Sequence, residues 1–93
     1  MPVEPQITVE VNLQRPVLPG YMPHFRVAEG ERLGVRFVSV GDKSSDGSLR
    51  ATVSLMYLPQ VDYEALVPGA LFNVVEGSRV VGHGRVLEGQ HAI

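Results

Sequence analysis

The chain has 93 residues, a formal net charge of −2 and 44% hydrophobic residues. That is one domain at most, with enough apolar content for a core and too much for a disordered chain. The absence of cysteine excludes a disulfide framework, a thiol nucleophile and a Cys-based zinc site, and a domain that bound nucleic acid by bulk electrostatics alone would usually be clearly basic, unlike this one.

Seven of the eight basic residues are Arg, and Lys43 is the lone Lys. Arg offers a planar fork suited to phosphate and carboxylate; a genome biased toward Arg codons is the plainer explanation. The opening MPVEPQ has no basic segment followed by an apolar run, and no apolar stretch approaches the roughly 18 residues of a membrane span. The expectation is a cytoplasmic protein with no membrane partner. Aromatic residues are few, so the core should be mostly Val and Leu.

After a proline-bearing lead, Gln6 to Leu13 alternates strictly. Ile7, Val9, Val11 and Leu13 share one face of a half-buried strand. Arg15 to Pro23 holds three prolines and a glycine, which rules out a helix or a central strand. Pro19-Gly20 suits the middle of a type II turn. His24 to Val27 reads as a short strand with Phe25 and Val27 inward. Leu33 to Val40 changes parity after Phe37, so it carries a bulge near Val38 or is buried on both faces.

Gly41 to Ser48 is the most hydrophilic stretch and reads as a mobile loop. Leu49 to Leu58 alternates again, with Leu49, Ala51, Val53, Leu55 and Tyr57 on one face; Pro59 ends it. Val61 to Val67 fits one helical turn with Asp62 as N-cap, and Pro68-Gly69 is a second turn signal.

Leu71 to Val75 and Val80 to Leu87 then form two strands around a Gly77-Ser78 hairpin loop. Gly82 and Gly84 thin the second strand, as at a bulge, a barrel bend or a close approach of another backbone. Glu88 to Ile93 has no pattern and should fray. The sum is about six short strands joined by Gly/Pro turns: a single all-β domain, with its core over about 6–88, forming a sandwich or a small closed barrel.

Gly20-Tyr21-Met22-Pro23-His24-Phe25 resembles the "GYRPQF" segment of the C-terminal β-barrel of bacterial elongation factor Tu. Phe72 to Val86, FNVVEGSRVVGHGRV, is similar to that barrel's "FAIREGGRTVGAGVV" ending. Gly47 to Val53 falls where the family has "GDNIKMVV", and Gln6 to Leu13 resembles the opening strand. The resemblance implies a six-stranded antiparallel closed barrel over nearly the whole chain. In the factor that barrel helps hold the T-stem of aminoacyl-tRNA, touches the nucleotide-exchange factor and packs on the GTPase domain.

Two departures matter. No G-x-x-x-x-G-K-[ST] phosphate loop is present, so neither a site for GTP hydrolysis nor a GTPase domain is expected in these residues. The family's basic "GGRHTPF" stretch is replaced by Leu13 to Pro19, so the tRNA contacts of that region have no counterpart. The expected role is a non-catalytic binding module for structured RNA or a translation protein, without a cofactor.

The candidate contact residues are Arg26, Arg36, Arg50, Arg79, His83 and Arg85. Arg26, Arg36 and Arg50 fall on outward strand faces, and Arg79 and Arg85 flank the glycine strand. Converging, they would grip phosphates or an acidic partner. The plainer reading is a solvated exterior with Glu10, Glu29, Glu31 and Glu76 as partners, in pairs contributing about 0–1 kcal/mol each. His83, between two glycines, has room to stack on a base.

His24, His83 and His91 lack metal-ligand spacing, and no metal site is expected. Asp42, Asp46, Asp62 and Glu64 show no sign of burial, and Ser44 and Ser45 have no adjacent base. A second function class is a protein-interaction or assembly module, homo-oligomers included, unrelated to translation. Its apolar face would be Val38, Met56 and Leu58.

Overall fold

The computed structural model describes residues 5–14, 16–57 and 61–91, the last two by their backbone. Arg15, Leu58 and Pro59, singled out in the sequence, lie outside the described residues. Seven strands form among those described: β1 (Gln6–Leu13), β2 (His24–Arg26), β3 (Leu33–Gly34), β4 (Arg36–Lys43), β5 (Leu49–Ser54), β6 (Leu71–Glu76) and β7 (Arg79–His91). They make one antiparallel sheet in the order β3-β2-β6-β7-β1-β5-β4. No described residue is helical. The helical turn expected near Asp62 is instead a pair of tight turns, in which Asp62 accepts from the Glu64 amide at 2.8 Å and Leu66 N–H donates to the Tyr63 carbonyl at 3.0 Å.

The expected six-stranded closed barrel is corrected to this seven-stranded half-barrel. β3 and β4 stand at opposite edges of the ladder yet are consecutive in the chain, separated by Val35 alone. The sheet must therefore curl. Isolated backbone bonds rather than a ladder join the stretch before β2 to Val35 and β4: Gly20 N–H to the Phe37 carbonyl, Phe37 N–H to that of Tyr21, and Val35 N–H to that of Pro23. Pro19 and Pro23 have no N–H to give, which keeps this stretch from becoming a strand.

Other boundaries shift for similar reasons. The bulge expected near Val38 is present, as the β4–β5 register slips between Phe37 and Ser39. A second slip between Val40 and Lys43 lets β4 run on through Gly41–Lys43, which the sequence assigned to a loop. β5 stops at Ser54, short of the strand expected to Leu58. Tyr57, expected inward, is half exposed, and its ring lies against Gly34, where a Cβ would collide with it. The tail expected to fray is the end of β7: Glu88 pairs with Thr8 and His91 with Gln6. Two register shifts in that pairing erase the alternation that would have revealed it.

Local turn chemistry is as the residues require. Leu18–Tyr21 and Val67–Ala70 are both closed by an i to i+3 bond, with Gly20 (φ 95°) and Gly69 (φ 88°) third in each, where a type II turn demands positive φ. The β6–β7 hairpin turns on Gly77 (φ 60°) and Ser78, in register Glu76 opposite Arg79.

Val and Leu dominate the core, with Ile7, Val9 and Val11 of β1 at its centre. A run of aromatic rings joins them. Phe25 stacks on Phe72 at 4.0 Å and meets Phe37 edge-on at 6.1 Å, and Tyr21 leans on Phe37 at 5.5 Å. Gly82 and Gly84 take inward positions, opposite Leu13 and Val74 and opposite Val11 and Phe72. A Cβ on Gly84 would sit 2.5 Å from the Glu10 carbonyl oxygen and 2.7 Å from the Phe72 ring. Close approach of the neighbouring backbone is observed at both glycines, and a bulge lies beside Gly82, where the β6–β7 register slips between Val74 and Val75.

Candidate functional site

Residues directly opposite across a ladder share a face, so the register fixes which side chains stand together. Two adjacent outward rungs cross the middle of the sheet. The first runs Arg26, Asn73, His83, Asn12 over β2, β6, β7 and β1. The second, two residues along, runs Leu71, Arg85, Glu10, Arg50 over β6, β7, β1 and β5. All eight are exposed or half-buried.

Four of the six candidate residues therefore meet on neighbouring rungs: Arg26, Arg50, His83 and Arg85. The other two do not. Arg79 stands at the hairpin turn opposite Glu76, six residues and about 20 Å along β7 from Arg85. Arg36 opens β4 opposite Ser54, four residues and about 13 Å along β5 from Arg50.

The four differ in what they have left to offer. Arg26 is committed to its own turn: Nε donates to the Gly30 carbonyl at 2.8 Å, Nη2 to that of Glu29 at 3.4 Å, and the Glu29 carboxylate lies 3.9 Å away. Arg85 reaches the Glu10 carboxylate at 3.5 Å, with both side chains about half exposed. Arg50, opposite Glu10 on its other side, is exposed, and its side chain makes no hydrogen bond or ion pair with another described residue. His83 projects between Asn73 and Asn12.

Two shallow depressions meet at Leu71, His83 and Gly84. One, of about 300 Å³, extends over Glu10, Asn12 and Arg85 to the 44–48 loop. The other, of about 440 Å³, extends over Asn73 to Arg26 and Ala28. The loop wall is held by Asp46, whose carboxylate accepts from the Ser48 hydroxyl at 2.7 Å and the Ser48 amide at 3.0 Å. Those two bonds, the hydroxyl's first, hold the exposed Asp46 carboxyl below its ordinary pKa.

Leu71 was not singled out in the sequence. It is 69% exposed at the meeting point of the two depressions. Its signal is parity: a large apolar residue on the outward positions of a strand whose inward positions are Phe72 and Val74.

The histidines do not converge. β6 lies between β2 and β7, so His24 pairs with Val75 and Gly34 rather than meeting His83. Among the described residues no group of three His, Cys, Asp or Glu could hold a metal ion. The apolar face fares similarly: Val38 is 39% exposed in the β4 bulge, Met56 is half-buried in a turn after β5, and no rung joins them. No helix among the described residues is long and apolar enough to cross a membrane. In comparisons with known proteins, no protein-family model and no curated protein matches the chain.

Proposed function

We propose that this chain is a non-catalytic binding module that takes a protein partner on the outer face of β6, β7, β1 and β5. One observation carries the reading: Leu71, a large exposed apolar side chain, shares a rung with Arg85, Glu10 and Arg50. Protein interfaces set an apolar anchor within a polar rim that can carry both signs of charge. A nucleic-acid backbone calls for one sign. The translation context rests on the resemblance of the Gly20–Phe25 and Phe72–Val86 segments to the C-terminal barrel of elongation factor Tu. On that reading this half-barrel is a relative of that barrel, and the partner is a translation protein.

A second reading has its own support. The exposed Arg50 side chain has no hydrogen-bond or ion-pair partner among the described residues, and His83 is open to stacking, so structured RNA is the alternative ligand.

Recovery of partners by the tagged full chain from its host lysate, with and without ribonuclease, tests both. A ribonuclease-resistant protein that Leu71→Glu loses supports the protein reading. Ribonuclease-sensitive recovery of tRNA or rRNA that depends on Arg50 and Arg85 replaces it with the RNA reading. Recovery unaffected by Leu71→Glu removes this face from consideration.

A further inference from the structure

We propose that Glu10 is a specificity residue, which keeps phosphate backbones off the Arg50–Arg85 pair while leaving the face open to protein. The inference rests on reading this face as the partner surface.

Glu10 sits on β1 with Arg85 directly opposite on β7 and Arg50 directly opposite on β5. Neighbouring strands are about 4.8 Å apart, so the two arginine positions lie about 10 Å apart with the Glu10 position midway. The carboxylate is not buried away: its side chain is 44% exposed, and it holds Arg85 at 3.5 Å. The 44–48 loop adds the Asp46 side of the same depression.

An anion that bridges Arg50 and Arg85 must pass over Glu10. A polyphosphate chain has acceptors alone to offer there, and meets a like charge at about 5 Å. A protein segment can place a cation or an N–H between two carboxylates, and so match the order Arg85, Glu10, Arg50. The partner class is accordingly a protein segment presenting acidic, donor and acidic groups in that order, next to an apolar residue for Leu71.

The test uses unfractionated tRNA as the probe and the full chain as wild type, Glu10→Gln and Glu31→Gln, titrated over a range of NaCl concentrations. Both substitutions change the net charge equally, and Glu31 is exposed just before edge strand β3, with β2 and β6 standing between that strand and the β7 strand of Arg85. Glu10→Gln keeps the side-chain shape, and a matching circular dichroism melt verifies the fold. The expected result is a three- to tenfold gain in tRNA affinity at low salt for Glu10→Gln, about one further ion released in the salt dependence, and no gain for Glu31→Gln. Adding Arg85→Gln to Glu10→Gln should abolish the gain. An equal gain from Glu31→Gln, or none from Glu10→Gln, overturns the proposal. Because every arm is scored against the same RNA, failure to recover a protein partner sinks the partner-face reading without deciding this one.

Discussion

The Tyr63 hydroxyl donates a 2.6 Å hydrogen bond to the backbone carbonyl of Gly34, and the same oxygen accepts from the Tyr57 amide at 3.2 Å. Tyr63 is buried, and with Leu66 it brings the irregular stretch between β5 and β6 into the core. Its hydroxyl thereby ties that stretch to edge strand β3. Tyr63→Phe keeps the ring but leaves the carbonyl and the amide without this partner. We expect a loss of about 1–2 kcal/mol in urea unfolding with an unchanged m-value.

The inward glycines of β7 should be unequal to the glycine near its end. Gly84→Ala drives a methyl into the Glu10 carbonyl and the Phe72 ring, which backbone on one side cannot yield to. A loss of about 2–3 kcal/mol is expected. Gly89→Ala meets Pro68 at 3.4 Å, an ordinary contact, and should stay within about 0.5 kcal/mol. Paired denaturation curves make the comparison, and similar losses would show that the close β1–β7 approach is not what selects glycine.

Ala28 holds φ at 50° in the turn that follows β2, the one described non-glycine residue with positive φ. The turn is closed by Gly30 N–H on the Val27 carbonyl and braced by Arg26. Relief of the left-handed strain exceeds the entropic cost of glycine at such a position. Ala28→Gly should therefore stabilise the fold by up to about 1 kcal/mol, read as a higher melting temperature.

Asp46 supplies a pH-dependent term of known sign. Its carboxyl is held below the ordinary 3.8 by the Ser48 hydroxyl and amide, so its folded value lies under its unfolded one. The stabilisation is complete above about pH 4 and is lost as pH falls through the folded value. In an NMR titration, Ser48→Ala should move the Asp46 midpoint upward.

What could be read in advance was what neighbouring residues decide among themselves. Strict alternation gave β1, Gly77-Ser78 the hairpin, the two Pro-Gly pairs their turns, and the parity change after Phe37 the bulge. What could not be read depends on strands meeting at a distance. The end of β7 lacks alternation because slips against β1 reverse its parity. The split of β3 from β4 needs Pro23 to occupy the backbone of Val35. The same limit applied to the candidate contact residues. Outward positions for Arg26 and Arg50 followed from their strands, but that Glu10 stands between Arg50 and Arg85 follows from the register of three strands at once.

Val35 joins the two ends of the ladder, and this bears on how the molecule comes apart under load. In an open sheet an outer strand can be peeled off one hydrogen bond at a time, at low force. Here tension on either outermost strand is handed through a single residue to the opposite margin. Both margins must give way together, as a hoop fails rather than as a zip opens.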